Sequence, residues 1–133
     1  MNQGRVLLVD DCRITVLLMK HLLSKIEVRV DSATNGLDGL KLALSGDYPL
    51  IFTDVVLEGI DGFELCRRIR GARGNETRIV LLTGLGEEFN RSRAKEVGAD
   101  AVFFKPIVPS QITDLVKDAL RLSDTEPALQ GEG

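Results

Sequence analysis

Five side chains in this sequence could do chemistry together, because each follows a short apolar run. Asp10 and Asp11 follow "VLLV", Asp54 follows "LIFT", Thr83 closes "RIVLLT", and Lys105, with Pro106 behind it, follows "AVFF". Three carboxylates gathered at one place are costly unless something neutralises them. Lys105 can offset one charge. A hard divalent cation offsets more, and Mg2+ favours carboxylate oxygens together with water and phosphate. A carboxylate beside such a cation can attack a phosphoryl group, while an ammonium and a hydroxyl take the other phosphoryl oxygens. Asp54 is the candidate nucleophile, Asp10 and Asp11 are the candidate cation ligands, and Thr83 and Lys105 are the candidate phosphate binders. The plainer alternative is that Asp10 or Asp11 caps the helix that follows, since Asp is a favoured N-cap and acids suit a helix N-terminus. Capping does not account for Asp54, Thr83 and Lys105 at the ends of three other runs.

The elements that must carry these residues alternate along the chain. Residues 5–9 read as a buried strand, and residues 13–25 as a helix with Ile14, Leu17, Leu18 and Leu22 at helical spacing. Residues 27–33 are β-branched and alternating, which predicts an edge strand. Residues 36–45 form a helix with Leu37, Leu40 and Leu44 on one face, and Gly46-Asp47-Tyr48-Pro49 punctuates. A strand over 50–53 leads to Asp54. Asp61 opens the next helix, with Glu64 completing an Asp variant of the capping box. Residues 78–83 are a strand, and 87–97 a helix anchored only by Phe89, Ala94 and Val97 and ended by Gly98. Residues 101–104 are the last strand, and 109–122 the last helix, with Ile112, Leu115, Val116, Ala119 and Leu120 on one stripe. The polar, aperiodic stretch from Ser123 is expected to be a disordered tail. Strands alternating with helices predict an α/β fold: a parallel sheet covered on both faces, with right-handed crossovers. Ligands in such sheets bind beyond the carboxyl ends of the strands, where the five side chains collect.

The chain has 133 residues, enough for one domain with a sizeable core, and 44% of them are hydrophobic against 28% charged. Its net charge of -3 gives no basic footprint for nucleic acid. The arginines at 67, 68, 70, 73 and 78 read as a solvated helix end, where cations suit the dipole. Cys12 and Cys66 form no CxxC pair, in keeping with a reduced, cytoplasmic protein. No apolar stretch approaches membrane-spanning length, and the N-terminus is no signal peptide. His21, the one histidine, sits in the first helix away from the strand ends, so it reads as a surface imidazole and not as a phosphodonor.

Four stretches, "VLLVDD", "LIFTDVVLEGIDGFEL", "IVLLTG" and "GADAVFFKPI", occur in this order, each at a strand end. Together, over residues 4–122, they resemble the response-regulator receiver family of two-component signalling, the CheY-like proteins. The resemblance implies a flavodoxin-like three-layer α/β/α sandwich with a five-stranded parallel sheet of order 2-1-3-4-5. It implies that Asp54 is phosphorylated. Asp10, Asp11, Asp54 and the backbone carbonyl of Val56 would surround Mg2+ or Mn2+. Thr83 and Lys105 would bind the phosphate, and the Lys105-Pro106 bond would be cis. The family's switch aromatic stands three positions before the Lys. Here that position is Val102, with Phe103 and Phe104 expected in core and sheet-face packing. Glu58 stands where the family often has Pro.

Several expectations follow for function. The chain is expected to be a stand-alone receiver, since residues 123–133 are too few for an output domain. It is a phosphoacceptor rather than an enzyme, promoting its own phosphorylation and dephosphorylation. The phosphoryl group would come from a sensor histidine kinase or a histidine phosphotransfer protein. The signal would leave through the fourth helix, fifth strand and fifth helix, to a protein target or by self-association, with neither nucleic acid nor membrane as partner. The fourth helix, weakly anchored, is the expected moving part, because Val102 is too short to swing. Two alternatives stand beside this reading. One is a phosphorylation-independent interaction module on the same fold. The other is a haloacid-dehalogenase-type phosphohydrolase, which needs Asp-x-Asp after the first strand, where this chain has adjacent acids and Cys12. An FMN carrier is poorer, because Asp10 and Asp11 repel a phosphate at that loop.

Val56 and Leu85, two positions after Asp54 and Thr83, are apolar and give nothing to orient a hydrolytic water. The double substitution Val56→Asn and Leu85→Glu is expected to speed loss of phosphate from the phosphorylated protein. Decay followed by phosphate release is the readout, and an unchanged rate would contradict it.

Overall fold

The computed structural model describes residues 4–84 and 87–122, with side chains from residue 90 onward in the second stretch. Leu85, the Phe89 side chain and the expected tail from Ser123 lie outside the described residues. The elements run β1 (Arg5–Val9), α1 (Arg13–Ser24), β2 (Arg29–Ala33), α2 (Gly36–Ser45), β3 (Leu50–Asp54), α3 (Gly62–Arg73), β4 (Arg78–Thr83), α4 (Glu87–Val97), β5 (Ala101–Phe104) and α5 (Pro109–Ala119). The strands form one parallel sheet of order β2-β1-β3-β4-β5. The central strands are apolar on both sides because both faces are covered. One core joins the sheet to α2, α3 and α4 through Leu7, Ile51, Leu65, Ile69, Ile79 and Leu81. The other joins it to α1 and α5 through Leu8, Met19, Leu23, Phe52, Ile112 and Val116. Each such fully buried Leu, Ile or Phe contributes about 1.5–3 kcal/mol. No helix among the described residues is long and apolar enough to cross a membrane.

Two helices turn a different face inward from the one their leucines predict. In α1 the buried residues are Thr15, Met19 and Leu23, while Ile14 and Leu17 are exposed. The run "ITVLLM" is apolar on more than one face, so periodicity alone does not fix its phase. In α2 the buried residues are Gly36, Gly39 and Ala43, and Leu37 and Leu44 face solvent. This helix lies so close to β1 that a Cβ on Gly39 would sit 2.7 Å from Val9 Cγ2. The small residues therefore take the inner face, which a hydrophobicity pattern does not mark.

Two element ends differ from expectation for one shared reason. After α1, Glu27 adopts φ 62° while the Val28 amide donates to Leu23 O at 2.9 Å, so β2 begins at Arg29 and not at residue 27. After α5, Arg121 adopts φ 57° and the Leu122 amide donates to Lys117 O at 2.8 Å, so the helix stops at Ala119. Both are left-handed caps of the Schellman kind, built here without glycine. In α3, Asp61 is the N-cap and accepts from the Glu64 amide at 2.8 Å. Glu64 does not complete the box. Its carboxylate takes Arg67 and Arg68 instead, which hold it down to about 2.

The arginine cluster also divides. Arg67 and Arg68 are the solvated pair expected. Arg73 reaches across to the end of α2 and donates to Ala43 O, Leu44 O and Gly46 O. Arg70 is nearly buried and donates to Gly74 O, Thr77 O, Gly98 O and Asp100. These two close carbonyls that a helix end or loop leaves open. Arg73→Ala should therefore cost about 1.5–3 kcal/mol, the worth of a hydrogen bond from a charged donor. Arg67→Ala, in an exposed pair screened by solvent, should cost clearly less. Urea unfolding of the two variants decides this, and equal losses would contradict the division.

Candidate functional site

The sheet order places β3 at the centre, β1 on one side and β4 then β5 on the other, so the ends of four strands meet at one edge. Asp54 ends β3, Asp10 and Asp11 follow β1, Thr83 ends β4 and Lys105 follows β5. Asp10 and Thr83 are fully buried, and Asp54 is 9% exposed. Asp11 is exposed. One carboxylate oxygen from each of Asp10, Asp11 and Asp54 lies within 4.8 Å of the others. Lys105 Nζ donates to Asp10 Oδ2 at 2.9 Å and to Asp54 Oδ2 at 3.3 Å, bridging the two buried acids. The Lys105 amide donates to Thr83 O at 2.8 Å, which fixes the end of β5 against β4. The Lys105-Pro106 bond is cis.

The capping alternative for Asp10 and Asp11 does not hold. The N-cap of α1 is Cys12, with no acid in the helix's first turn. Asp10 Oδ1 instead accepts from the Cys12 amide at 3.0 Å, which orients the carboxylate toward the strand ends. Asp54 is oriented in the same way, its Oδ1 accepting from the Val56 amide at 3.3 Å. The Val56 side chain is exposed. The start of α3 presses on the backbone of Asp54: a Cβ on Gly62 would lie 2.2 Å from the Asp54 carbonyl oxygen. Gly62 was not singled out by its chemistry. The signal available was a glycine directly behind an N-cap Asp, where most helices take a side chain.

The electrostatics follow from this geometry. Burial raises the pKa of Asp54, and the charge of Asp10 adds to it, while Lys105 and the Val56 amide pull the other way without cancelling the rise. For Lys105, burial works against the charge, but the hydrogen bond and charge of Asp10, with Asp54 behind, outweigh it and raise its pKa. The donor set is all oxygen and anionic, which suits a hard divalent cation of the Mg2+ kind. Among the remaining candidates, His21 is exposed on α1. Cys66 is buried, its thiol pushed up to about 11 by burial, so it stays an inert thiol. Val102 pairs with Leu81 and packs against the α2–α4 core. Phe103 packs against the opposite core, as expected for sheet-face packing.

The raised pKa of Asp54 fixes a sign for stability. A carboxyl that binds its proton more readily in the folded chain favours folding below the ordinary carboxylate range, and loses that contribution as pH rises through its own pKa. Without divalent cations, Asp54→Asn should therefore melt higher than wild type at pH 7.5, and the gap should close toward pH 4. A variant that melts lower at neutral pH, in thermal scans followed by circular dichroism, would contradict the burial argument.

Comparison with known proteins agrees with this arrangement. A family model described as "Response regulator receiver domain" matches residues 6–117. The transcriptional regulatory protein ResD of Bacillus subtilis is 36% identical over 120 residues, covering 90% of this chain and 49% of ResD. SrrA of Staphylococcus aureus is 32% identical over 129 residues, covering 97% of this chain and 53% of SrrA. This chain thus spans about half the length of these curated relatives. Among solved structures, a two-component response regulator from Clostridium difficile superposes with a TM-score of 0.83 at 28% identity, covering 90% of this chain and 97% of that one. The chemotaxis response regulator CheY4 of Vibrio cholerae does so with a TM-score of 0.80 at 25% identity, covering 89% and 99%. The three oriented acids, the bridging lysine and the parallel sheet that gathers them belong to a chain that is a member of the response-regulator receiver family.

Proposed function

We propose that Asp54 accepts a phosphoryl group from a phosphohistidine on a sensor histidine kinase or a histidine phosphotransfer protein. The observation that carries this is the Lys105 ammonium bridging Asp10 and Asp54 while all three carboxylates converge within 4.8 Å. An Asp54 carboxylate oxygen forms a bond to phosphorus as the phosphorus–nitrogen bond of the donor breaks. The bonding pair returns to the imidazole nitrogen, which takes up a proton. Asp10, Asp11, Asp54 and the carbonyl of Val56 would hold Mg2+ or Mn2+, which when bound neutralises charge on the phosphoryl oxygens. Lys105 is placed to leave Asp54 for a phosphoryl oxygen, and the Thr83 hydroxyl to take another. Water removes the phosphate later, so the protein speeds its own modification and its reversal without turning over a separate substrate. The phosphohydrolase alternative has no second acid at Cys12, which is exposed at the N-cap position of α1.

In this reading the signal leaves through α4, β5 and α5 to a protein partner, or by self-association, in the cytoplasm. ResD and SrrA are transcriptional regulatory proteins about twice this length, so likeness to them does not support a stand-alone receiver. The solved chain of CheY4 is one neighbour of similar extent, matched over 99% of its length.

Incubation with acetyl phosphate and Mg2+ should modify wild type at Asp54 and leave Asp54→Asn unmodified, as read by intact mass and peptide mapping. Lys105→Met should slow modification by roughly 10²-fold, the loss typical of one donor to a developing oxyanion. Equal modification of wild type and Asp54→Asn would sink the assignment.

A further inference from the structure

The segment between β3 and α3 carries a ligand that no side-chain rotation can aim. The Val56 carbonyl sits wherever the main chain of residues 55–61 puts it. Mg2+ demands near-octahedral geometry at about 2.0–2.1 Å, so a small displacement of such a carbonyl is felt. The base of the segment is closed by the Gly62 amide, which donates to Val55 O at 2.8 Å. Its middle has no such closure of its own. Position 58 carries an exposed glutamate, which leaves free the φ angle that proline would fix.

The restraint comes from the first residue of α2. Asn35, the N-cap, fixes the start of that helix by accepting from the Asp38 amide at 2.8 Å. The Gly36 amide is one of the opening donors that a helix leaves without an internal partner. It donates across to Glu58 O at 3.1 Å. Among the described residues this is the one main-chain hydrogen bond that reaches residues 57–60 from another element. Gly36 is buried, and a Cβ there would overlap the Ile60 carbonyl oxygen and lie 2.6 Å from Ile60 Cγ1. Its φ is not in the left-handed region, so glycine serves here for space and not for backbone conformation. The helix behind it is a firm support. Gly39 packs on Val9 of β1, and Arg73 closes the carbonyls at the other end.

We propose that Gly36 is a positioning residue for the cation site. It holds residues 58–60 so that the Val56 carbonyl stays within reach of a cation bound by Asp10, Asp11 and Asp54. Gly36 itself touches neither cation nor phosphate. The proposal rests on the reading of those four groups as the cation's ligands. Restraint and binding are reciprocal: a held loop that favours the cation is favoured by the cation through the same factor.

Mn2+ binding to the full chain is followed by the electron paramagnetic resonance of the free ion. Gly36→Ala should weaken it about tenfold, the lower end of what changes behind a metal's ligands cost. Gly46→Ala, at the other end of α2, crowds Tyr48 and Arg5 instead. It should lower the melting temperature and leave the affinity as in wild type. Modification of Asp54 by acetyl phosphate should need about tenfold more Mg2+ in Gly36→Ala, yet reach the wild-type rate at saturation. In wild type, saturating Mg2+ should slow exchange of the Gly36 amide and leave that of the Gly46 amide unchanged, a measurement that stands even where Gly36→Ala does not fold. Wild-type affinity in a folded Gly36→Ala, or a Gly36 amide indifferent to Mg2+, overturns the positioning role and leaves the cation site standing. Equal weakening in Gly46→Ala overturns it too, because the loss is then one of general stability. A wild-type chain that binds no Mn2+ overturns the reading of the acids, and this role with it.

Discussion

Two buried acids, Asp10 and Asp54, share one ammonium from the far side of the sheet, and most of the architecture answers to that arrangement. Taking carboxylates out of water is unfavourable, and a pair close together more so. The fold meets the cost in layers. Lys105 arrives from β5, the Cys12 and Val56 amides donate to the carboxylates, and the sheet order brings four strand ends to one edge. The compensation is partial, since burial and Asp10 still leave the Asp54 pKa raised. A site with charge left over is one that gains from an incoming cation.

Away from that edge, main-chain carbonyls are closed by guanidinium groups. Arg73 ties the end of α2 to the end of α3, and Arg70 ties α3 to the segments leading into β4 and β5. Both use directional donors fixed in a plane, which an ammonium does not offer. The result is an uneven molecule. The α3 side is fastened along its length, and among the described residues it also holds the C-terminal half of α4, through Cys66 on Val97 O and Arg70 on Gly98 O.

The site was legible in the sequence because its residues obey a positional rule: each stands just past a buried strand in a parallel sheet. Asp10, Asp11, Asp54, Thr83 and Lys105 needed only the strands to be found. The helices were harder. The inward faces of α1 and α2 follow from how closely each backbone approaches the sheet, and in α2 the buried side is glycine and alanine. The left-handed caps at Glu27 and Arg121 gave no sign, because the residues that usually mark such turns are absent. The arginines looked alike in sequence, and only the carbonyls within reach of Arg70 and Arg73 set them apart from Arg67 and Arg68.

Asp10 and its ammonium partner stand 95 positions apart in the chain. A polypeptide leaving the ribosome therefore makes the acids long before the cation that tempers them. Until the last strand is added, any partly assembled sheet carries its charges uncompensated at the edge of β1 and β3. That penalty is larger for the incomplete chain than for the finished one, at a stage when domains fold as units during synthesis. The lysine that bridges the two acids thus also marks the moment at which the whole sheet becomes worth closing.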